Sequence, residues 1–175
     1  MPNIILYLAA SADGFIADVN GSVDWLPQPK NDEELEKCGY NQLMADIDTI
    51  LMGSKSFEQI LGFGDWPWPQ KQTYVFSSRN LHISLPCVHL THDSPRRFMQ
   101  KHPSGKAIWL LGGAALASSF AQEHLIDEII LTVIPQTLGQ GIALNVSLDN
   151  FHLKAEKPLT EGMVQRIYVK NRCAG

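Results

Sequence analysis

Three short segments of this sequence combine glycine, hydroxyl and cationic residues in patterns that suit phosphate groups. They are Gly53-Ser54-Lys55-Ser56, Ser77-Ser78-Arg79 and Leu111-Gly112-Gly113-Ala114-Ala115. Glycine lets a ligand approach the backbone closely, and the N-terminus of a following helix offers N–H groups to an anion. Arginine can bind phosphate with two parallel hydrogen bonds, and serine hydroxyls can donate to it. Each segment alone also fits an ordinary turn, and Ser54 alone fits a helix N-cap. Three in succession indicate a ligand with several phosphates.

Other chemistries find less support in the sequence. The Gly112-Gly113 pair lacks the third glycine of the fingerprint for a conventional dinucleotide-binding domain. No Gly-x-Ser-x-Gly segment is present, which argues against a hydrolase of that type. The histidine pair His89 and His92 does not have zinc-finger spacing and has no third ligand nearby in the sequence. We therefore expect no metal site.

Acidic and aromatic side chains offer candidates for the reacting end of the site. Asp13 follows the first predicted strand, where it either orients a substrate or holds the next loop in place. Five more acids lie before or within the first predicted helix, and most are expected to be solvated there: Asp24, Asp32, Glu33, Glu34 and Glu36. The tryptophans of the long loops either wall an aromatic pocket or anchor those loops by packing: Trp25, Trp66 and Trp68.

The three phosphate-type segments follow predicted strands. The strands are expected at residues 4–10, 49–53, 73–77, 88–90, 107–111 and 126–134. The first is apolar throughout, as expected of a strand in a sheet that is covered on both faces. Parallel sheets bind ligands outside the carboxyl ends of their strands. The candidate residues are therefore expected along one edge of the sheet.

Helices are predicted between these strands. One begins at Asn31 with Glu34 three residues later, as in a capping box, and its buried stripe comprises Leu35, Cys38, Leu43 and Ile47. Others run from Ser54 to about Leu61, from Ser94-Pro95 onward, and beyond Gly113. The last of these is expected to bury Leu116, Ala117, Phe120 and Ala121. Alternation of strands and helices predicts an α/β fold with a mostly parallel sheet and helices on both faces. Residues 151–157 and 163–170 are expected to add an antiparallel hairpin at its end.

Composition is that of a globular enzyme. The chain has 175 residues, which fits a single domain over 1–175, with 45% hydrophobic and 18% charged residues and a net charge of −4. The basic residues are scattered, so we expect no nucleic-acid partner. The apolar run at 4–10 is too short to cross a membrane, so no membrane association is expected. Cys38, Cys87 and Cys173 are odd in number and far apart, which favours reduced thiols and a cytoplasmic location.

Taken in order, several segments of the chain resemble the dihydrofolate reductase-like proteins related to the C-terminal reductase domain of riboflavin biosynthesis. The matching segments run from residue 4 to about residue 145, and they comprise residues 11–17, Gly21 with Asp24-Trp25, 48–58, 66–67, 75–79, 108–113, 125–128 and 135–141. The resemblance implies a three-layer α/β fold built on a mixed, mostly parallel sheet of about eight strands, with NADPH lying across the strand ends. It also implies a homodimer.

The resemblance assigns roles to individual residues. Phosphate contacts fall to Gly53, Lys55 and Ser56, with Ser54 beside them, and the adenosine 2′-phosphate end to Ser77, Ser78 and Arg79. The pyrophosphate and nicotinamide would be lined by Gly112, Gly113, Ala114 and Leu116, with Ala115 in the same turn. The reacting ring would be bordered by Ala9, Asp13 and Ile16.

The sequence departs from the family pattern at two places. Ser54 stands where the family usually has arginine, which leaves Lys55 and Arg79 to favour NADPH and keeps NADH as an alternative. Residues 142–145 replace the usual segment that ends in proline and phenylalanine, so a pocket or interface edge is expected to differ.

The expected activity is reduction of a small pterin- or pyrimidine-type heterocycle, with dihydrofolate among the candidates. The proton donor is expected on the helix after the first loop, where Glu34, Glu36 and Tyr40 are the candidates, and Asp13 completes the catalytic set. Two alternatives stay open. One is reduction of the ribosylamino-pyrimidine of the riboflavin pathway, and the other is a non-catalytic nucleotide-binding module.

Overall fold

A computed structural model describes residues 2–102 and 105–172. Within these ranges the strands are β1 (Ile4–Ser11), β2 (Phe15–Ala17), β3 (Ile47–Gly53), β4 (Gln72–Phe76), β5 (Val88–Thr91), β6 (Ala107–Gly112), β7 (Glu128–Ile134), β8 (Ile142–Ala143), β9 (Phe151–Pro158) and β10 (Val164–Lys170). The helices are α1 (Asp32–Lys37), α2 (Tyr40–Asp46), α3 (Ser54–Leu61), α4 (Pro95–Lys101) and α5 (Ala114–Gln122). A 3₁₀ turn covers Thr160–Gly162.

Eight strands form one mixed sheet in the order β5-β4-β3-β6-β1-β7-β10-β9. The first six of these are parallel to one another, and β10 and β9 are antiparallel to their neighbours. β2 and β8 form a separate antiparallel pair. The predicted α/β class, the mostly parallel sheet and the C-terminal hairpin are confirmed.

The sheet is covered on both faces, as the apolar first strand indicates. Ile4 and Leu6 of β1 belong to one buried cluster, together with residues of α4 and α5, whereas Ile5 belongs to a second cluster with residues of α2 and α3. Adjacent residues of a strand point to opposite faces, so a strand buried on both sides must be apolar at every position. α5 buries Leu116, Ala117 and Phe120 as predicted, whereas Ala121 is only half-buried.

The helix predicted from Asn31 to Ile47 is wrong in its extent. Asn31 caps α1 and its side chain accepts the N–H of Glu34 at 3.0 Å, but the helix ends at Lys37. Gly39 then adopts a φ of +79°, a left-handed conformation that commonly ends helices, and α2 starts at Tyr40. Ile47 is fully buried but belongs to β3. An apolar stripe that fits one helix fits two short helices equally well when a glycine separates them.

Smaller differences concern the caps and the ends of elements. Gly53, not Ser54, occupies the N-cap position of α3, and Ser54 is its first helical residue. The predicted cap of α4 is confirmed, since Ser94 accepts the N–H of Arg97 and Pro95 follows it. Cys173 lies outside the described residues. No helix within 2–102 or 105–172 is long and apolar enough to cross a membrane.

Candidate active site

The three phosphate-type segments lie side by side at one edge of the sheet. β4, β3 and β6 are consecutive neighbours, Gly53 pairs with Phe76, and Met52 pairs with Gly112. All three strands are parallel, so their carboxyl ends reach this edge at nearly the same level. The structure therefore brings together Ser77-Ser78-Arg79, the start of α3 and the Gly112-Gly113 turn, as the sequence predicts.

The two glycine turns of this edge lie close together. A Cβ atom added at Gly53 would lie 4.0 Å from the Gly113 nitrogen, and one added at Gly113 would lie 3.6 Å from Ser56 Oγ. α3 and α5 both begin here, and within the described part of the chain neither has a side chain that caps its first turn. Two adjacent helix N-termini thus present backbone N–H groups and positive dipole ends to the same space. This arrangement is suited to binding a diphosphate.

Charged side chains lie on the β4 side of the same edge. The Arg79 guanidinium (Nη2) lies 2.8 Å from Glu58 Oε1 and 3.3 Å from Ser54 Oγ. The Arg79 backbone N–H donates to Ser77 Oγ at 3.0 Å. Lys55 is exposed on the first turn of α3, and Ser78 is exposed beyond β4. Hydroxyls and cations are therefore concentrated where the sheet ends at β4 and β3.

A cavity of about 660 Å³ opens beside β1, the strand next to β6. Its walls come from β1, β6 and β7, from α1 with the loop before it, and from the turn between β9 and β10. Ala9 lies on the β1 wall, and Thr132 and Ile134 lie on the β7 wall. The volume is in the range of small-molecule sites.

Three residues that line this cavity, Tyr7, Cys38 and Thr132, belong to a polar network that is not evident from the sequence. The Tyr7 hydroxyl donates to the Cys38 carbonyl at 2.9 Å, and Gln165 Nε2 donates to the same carbonyl at 2.7 Å and to Thr132 Oγ1 at 3.1 Å. Gln165 is only 1% exposed. Burial, reinforced by the neighbouring Cys38, raises the pKa of Tyr7, so its phenol stays neutral. The network ties the α1–α2 junction to the sheet and places neutral hydrogen-bonding groups, those of Tyr7 and Thr132, on the cavity wall.

The predicted proton donors separate into two groups. Glu34 and Tyr40 line the cavity, whereas Glu36 is not among its described lining residues and accepts a hydrogen bond from Asn41. Glu34 Oε2 accepts the backbone N–H of Lys30 at 2.8 Å. The Tyr40 hydroxyl oxygen accepts Trp68 Nε1 at 2.9 Å, and no hydrogen bond donated by this hydroxyl is found among the described residues. Asp24, Asp32 and Glu33 are exposed.

Trp66 and Trp68 pack against other aromatic rings, and neither they nor Trp25 is among the described residues that line the cavity. Trp68 contacts both Trp66 and Trp109 edge to face, with ring centroids 5.6 and 5.2 Å apart. Among the described residues, the tryptophan that lines the cavity is Trp109 of β6. No role in the site was predicted for it from the sequence. Trp68 therefore supports two residues of the wall, Trp109 through ring contact and Tyr40 through its hydrogen bond.

Asp13 lies at the end of β1 and holds a neighbouring loop. Its carboxylate accepts the hydroxyl of Ser11 at 2.6 Å and the backbone N–H groups of Leu138 and Gly139 at 3.1 and 2.8 Å. Of the three residues expected to border the reacting ring, Ala9 lines the cavity, while Asp13 and Ile16 are not among its described lining residues. Two roles were predicted for Asp13, orienting a substrate and holding a loop. Its observed contacts are those of a residue that holds a loop.

The contacts of Asp13 lead to a first prediction. The Ser11 hydrogen bond, followed by those from Gly139 and Leu138, lowers the pKa of Asp13 below its ordinary value of 3.8. We expect Asp13→Asn to accelerate amide hydrogen exchange at Leu138 and Gly139, because an amide has one acceptor oxygen where the carboxylate has two. In the unsubstituted chain the contribution of the carboxylate to this protection is present above its ordinary pKa of 3.8 and is lost as the pH falls through the lowered pKa.

Asp18→Asn provides the matched control. Asp18 accepts two backbone N–H groups, those of Asn20 and Ser22, within its own turn. This variant should leave exchange at residues 138–139 unchanged. Equal exchange rates at Leu138 in the Asp13→Asn variant and the unsubstituted chain would show that the carboxylate does not hold the loop.

Comparison with known proteins agrees with this architecture. Residues 2–163 match the family described as the RibD C-terminal domain. Two uncharacterized proteins of Bacillus subtilis (strain 168) are similar over nearly their whole length. YwjB is 34% identical over 172 residues, covering 95% of this chain and 97% of its own, and YyaP is 33% identical over 182 residues, covering 94% and 93%.

Solved structures extend the likeness. A candidate riboflavin biosynthesis protein from Shewanella sp. PV-4 superposes with a TM-score of 0.83 at 28% identity, over 98% of this chain and 100% of its own. Dihydrofolate reductase from Enterococcus faecalis, solved with NADP(H), gives 0.70 at 17% identity over 97% of both chains. A Thermotoga maritima protein that combines a pyrimidine deaminase with a phosphoribosylaminouracil reductase gives 0.69 at 14% identity, over 97% of this chain and 56% of its own. The last two identities bear on the fold alone, and that fold is dihydrofolate reductase-like.

Proposed function

The chain belongs to the RibD C-terminal domain family, and from this membership and the geometry of its site we propose that it is a nicotinamide-dinucleotide-dependent reductase. The cofactor is NADPH, with NADH as the alternative. The substrate is a small pterin- or pyrimidine-type heterocycle that receives a hydride.

One observation supports this proposal above the others, namely the order of the strand ends. The polar ends of β4, β3 and β6 are consecutive, and the next strand, β1, lines the cavity. Neighbouring strands are about 4.8 Å apart, so this row extends about 14 Å from β4 to β1. A dinucleotide matches this order of features. Its phosphates suit the cations and the helix N-termini at β4, β3 and β6, and the reactive ring at its end suits the cavity beside β1.

The residues present fit such a dinucleotide. A Cβ atom at either glycine would narrow the space between the two turns. Within the described chain no side chain accepts the first backbone N–H groups of α3 and α5, so these groups remain available to a ligand. Ser77, Ser78 and Arg79 would hold the adenosine end, and Gly53 and Lys55–Ser56 would hold the pyrophosphate with Gly112 and Gly113. Reduced nicotinamide supplies a hydride when bound. Ala9, a small residue on the cavity wall, leaves room for the ring beside the substrate.

Tyr40 is the proposed proton donor. Its hydroxyl oxygen already accepts a hydrogen bond from Trp68, which fixes its position, and its own proton is uncommitted among the described residues. Tyr7, also on the cavity wall, has committed its proton to the Cys38 carbonyl. Glu34 has one carboxylate oxygen engaged by the Lys30 backbone N–H at the start of α1. A positioned side chain with a transferable proton is what general acid catalysis requires.

A second candidate substrate is the phosphorylated ribosylamino-pyrimidine of the riboflavin pathway. It is favoured by the family and by Lys30 and Lys37, two cations that line the cavity beside α1 and that pair with the exposed carboxylates of Glu161 and Glu33 at 2.7 and 3.1 Å. Lysine binds phosphate as a point charge. A non-catalytic module of the same fold would keep the row of strand ends but would not turn over either substrate.

Titration of NADPH and NADH into the purified chain tests the proposal. We expect saturable binding of at least one cofactor, followed by loss of absorbance of the reduced nicotinamide when dihydrofolate or the ribosylamino-pyrimidine is added. Turnover of one substrate and not the other would identify the heterocycle. Binding without turnover of any pterin or pyrimidine would support the non-catalytic module. Binding of neither cofactor would contradict the proposed function.

A further inference from the structure

An acidic side chain lies directly against the cation at the adenosine end of the proposed site. Glu58 Oε1 is 2.8 Å from the Arg79 guanidinium, and the two side chains are 51% and 58% exposed. Glu58 lies four residues after Ser54, so both are on one face of α3, and the guanidinium also reaches Ser54 Oγ at 3.3 Å. Arg79 therefore connects the end of β4 to α3, and its guanidinium forms an ion pair with the Glu58 carboxylate.

The place of this pair in the sheet indicates which part of the ligand it meets. The cavity that takes the reacting ring is beside β1, and Arg79 follows β4, three strands away. The ligand end farthest from the reacting ring is the adenosine half. NADPH and NADH differ only there, since one has a 2′-phosphate and the other a 2′-hydroxyl.

Arginine and glutamate favour opposite cofactors in such a position. A guanidinium accommodates the 2′-phosphate, whereas a carboxylate accepts a hydrogen bond from the 2′-hydroxyl and repels the phosphate. On the basis of the proposed function, we propose that Glu58 is a specificity-determining residue that reduces the preference for NADPH over NADH. It does so by occupying Arg79 and by placing a negative charge next to the phosphate position.

A purely structural role for the pair would predict different behaviour. Exposed ion pairs stabilise folded proteins little. α3 is anchored by Phe57 and Ile60, which are buried in the core, so the helix does not depend on Glu58. Glu58→Gln keeps the size of the side chain and removes its charge, and it should leave the melting temperature nearly unchanged.

The test compares dissociation constants of both cofactors for three variants and the unsubstituted chain. Glu58→Gln should tighten NADPH binding about 10-fold and change NADH binding less than about twofold, since only NADPH carries the additional phosphate charge. Arg79→Ala should weaken NADPH binding about 10-fold or more and NADH binding far less. Glu156→Gln is the matched control, because Glu156 forms an equally short pair with Arg166, at 2.8 Å on the C-terminal hairpin.

The outcomes separate this inference from the proposed function. If the unsubstituted chain binds both cofactors and Glu58→Gln leaves the ratio of their dissociation constants within about twofold, the inference is wrong and the reductase proposal stands. An equal shift in Glu156→Gln would also overturn it, because the effect would then come from net charge. If the unsubstituted chain binds neither cofactor, both proposals fail.

Discussion

Replacing Gly112 by alanine is expected to reduce NADPH affinity about 100-fold, equivalent to losing two charge-assisted hydrogen bonds of about 1.5 kcal/mol each. Gly112 has a φ of +120°, which residues with a side chain rarely adopt. The strain of keeping that conformation is about 1–3 kcal/mol. An alanine relieves it by rotating the peptide, and Gly113, the N-cap of α5, moves with it.

That movement matters because the two helix starts lie close together. A Cβ atom added at Gly113 would lie 3.6 Å from Ser56 Oγ, and one added at Gly53 would lie 4.0 Å from the Gly113 nitrogen. A rotated peptide at Gly112 therefore changes both the direction of the first N–H groups of α5 and the width of the space between α5 and α3. Isothermal titration with NADPH measures the loss of affinity, and thermal unfolding measures the strain separately.

Gly64→Ala is the matched control for strain. Gly64 has a φ of +123°, and, as at Gly112, an added Cβ would meet no described atom within 4 Å. Gly64 lies in the loop after α3, away from the carboxyl edge of the sheet. Both variants should lose stability, but only Gly112→Ala should lose affinity. If Gly112→Ala binds NADPH as tightly as Gly64→Ala does, the turn is not part of the dinucleotide site.

The proposed cofactor edge could be predicted from the sequence because its signals are local. Each of its three segments couples an apolar strand to glycine, serine or a cation within a few residues, and parallel strands bring such ends to one edge of the sheet. The adjacency of β4, β3 and β6 still required the family resemblance or the structure, since strand order is not written in any one segment.

The proposed substrate cavity was harder to predict from the sequence because its residues come from distant parts of the chain. Tyr7, Thr132 and Gln165 meet only after β1, β7 and β10 pair in their observed register. In the sequence Gln165 looks like an ordinary polar residue of the last predicted strand, but it is almost fully buried. The left-handed Gly39 decides where Cys38 and Tyr40 lie, and the apolar periodicity around it does not reveal the break. The position of Trp109 on the cavity wall was also not predicted, because within an apolar strand it resembles any other core residue.

Replacing Tyr40 by phenylalanine is expected to lower kcat about 100-fold with the heterocyclic substrate, the effect of removing a general acid. The dissociation constant of NADPH should stay within about twofold, because the proposed cofactor contacts lie along the row from β4 to β6 and Tyr40 begins α2. The variant also removes the acceptor of Trp68 Nε1, so a loss of stability of about 1–3 kcal/mol accompanies it. Stopped-flow measurement of cofactor oxidation gives kcat, and titration and thermal unfolding give the other two quantities.

Two further variants decide whether the lost rate belongs to the Tyr40 proton. Tyr168→Phe removes a phenol from β10, away from the described cavity lining, and should leave kcat unchanged. Glu34→Gln keeps an oxygen that can accept the Lys30 N–H, so it should preserve α1 and lower kcat less than about threefold. If Glu34→Gln loses the rate and Tyr40→Phe keeps it, the proton comes from the carboxyl at the start of α1. If both keep it, the proton reaches the substrate from water, and the neutral wall residues Tyr7 and Thr132 would only position the heterocycle.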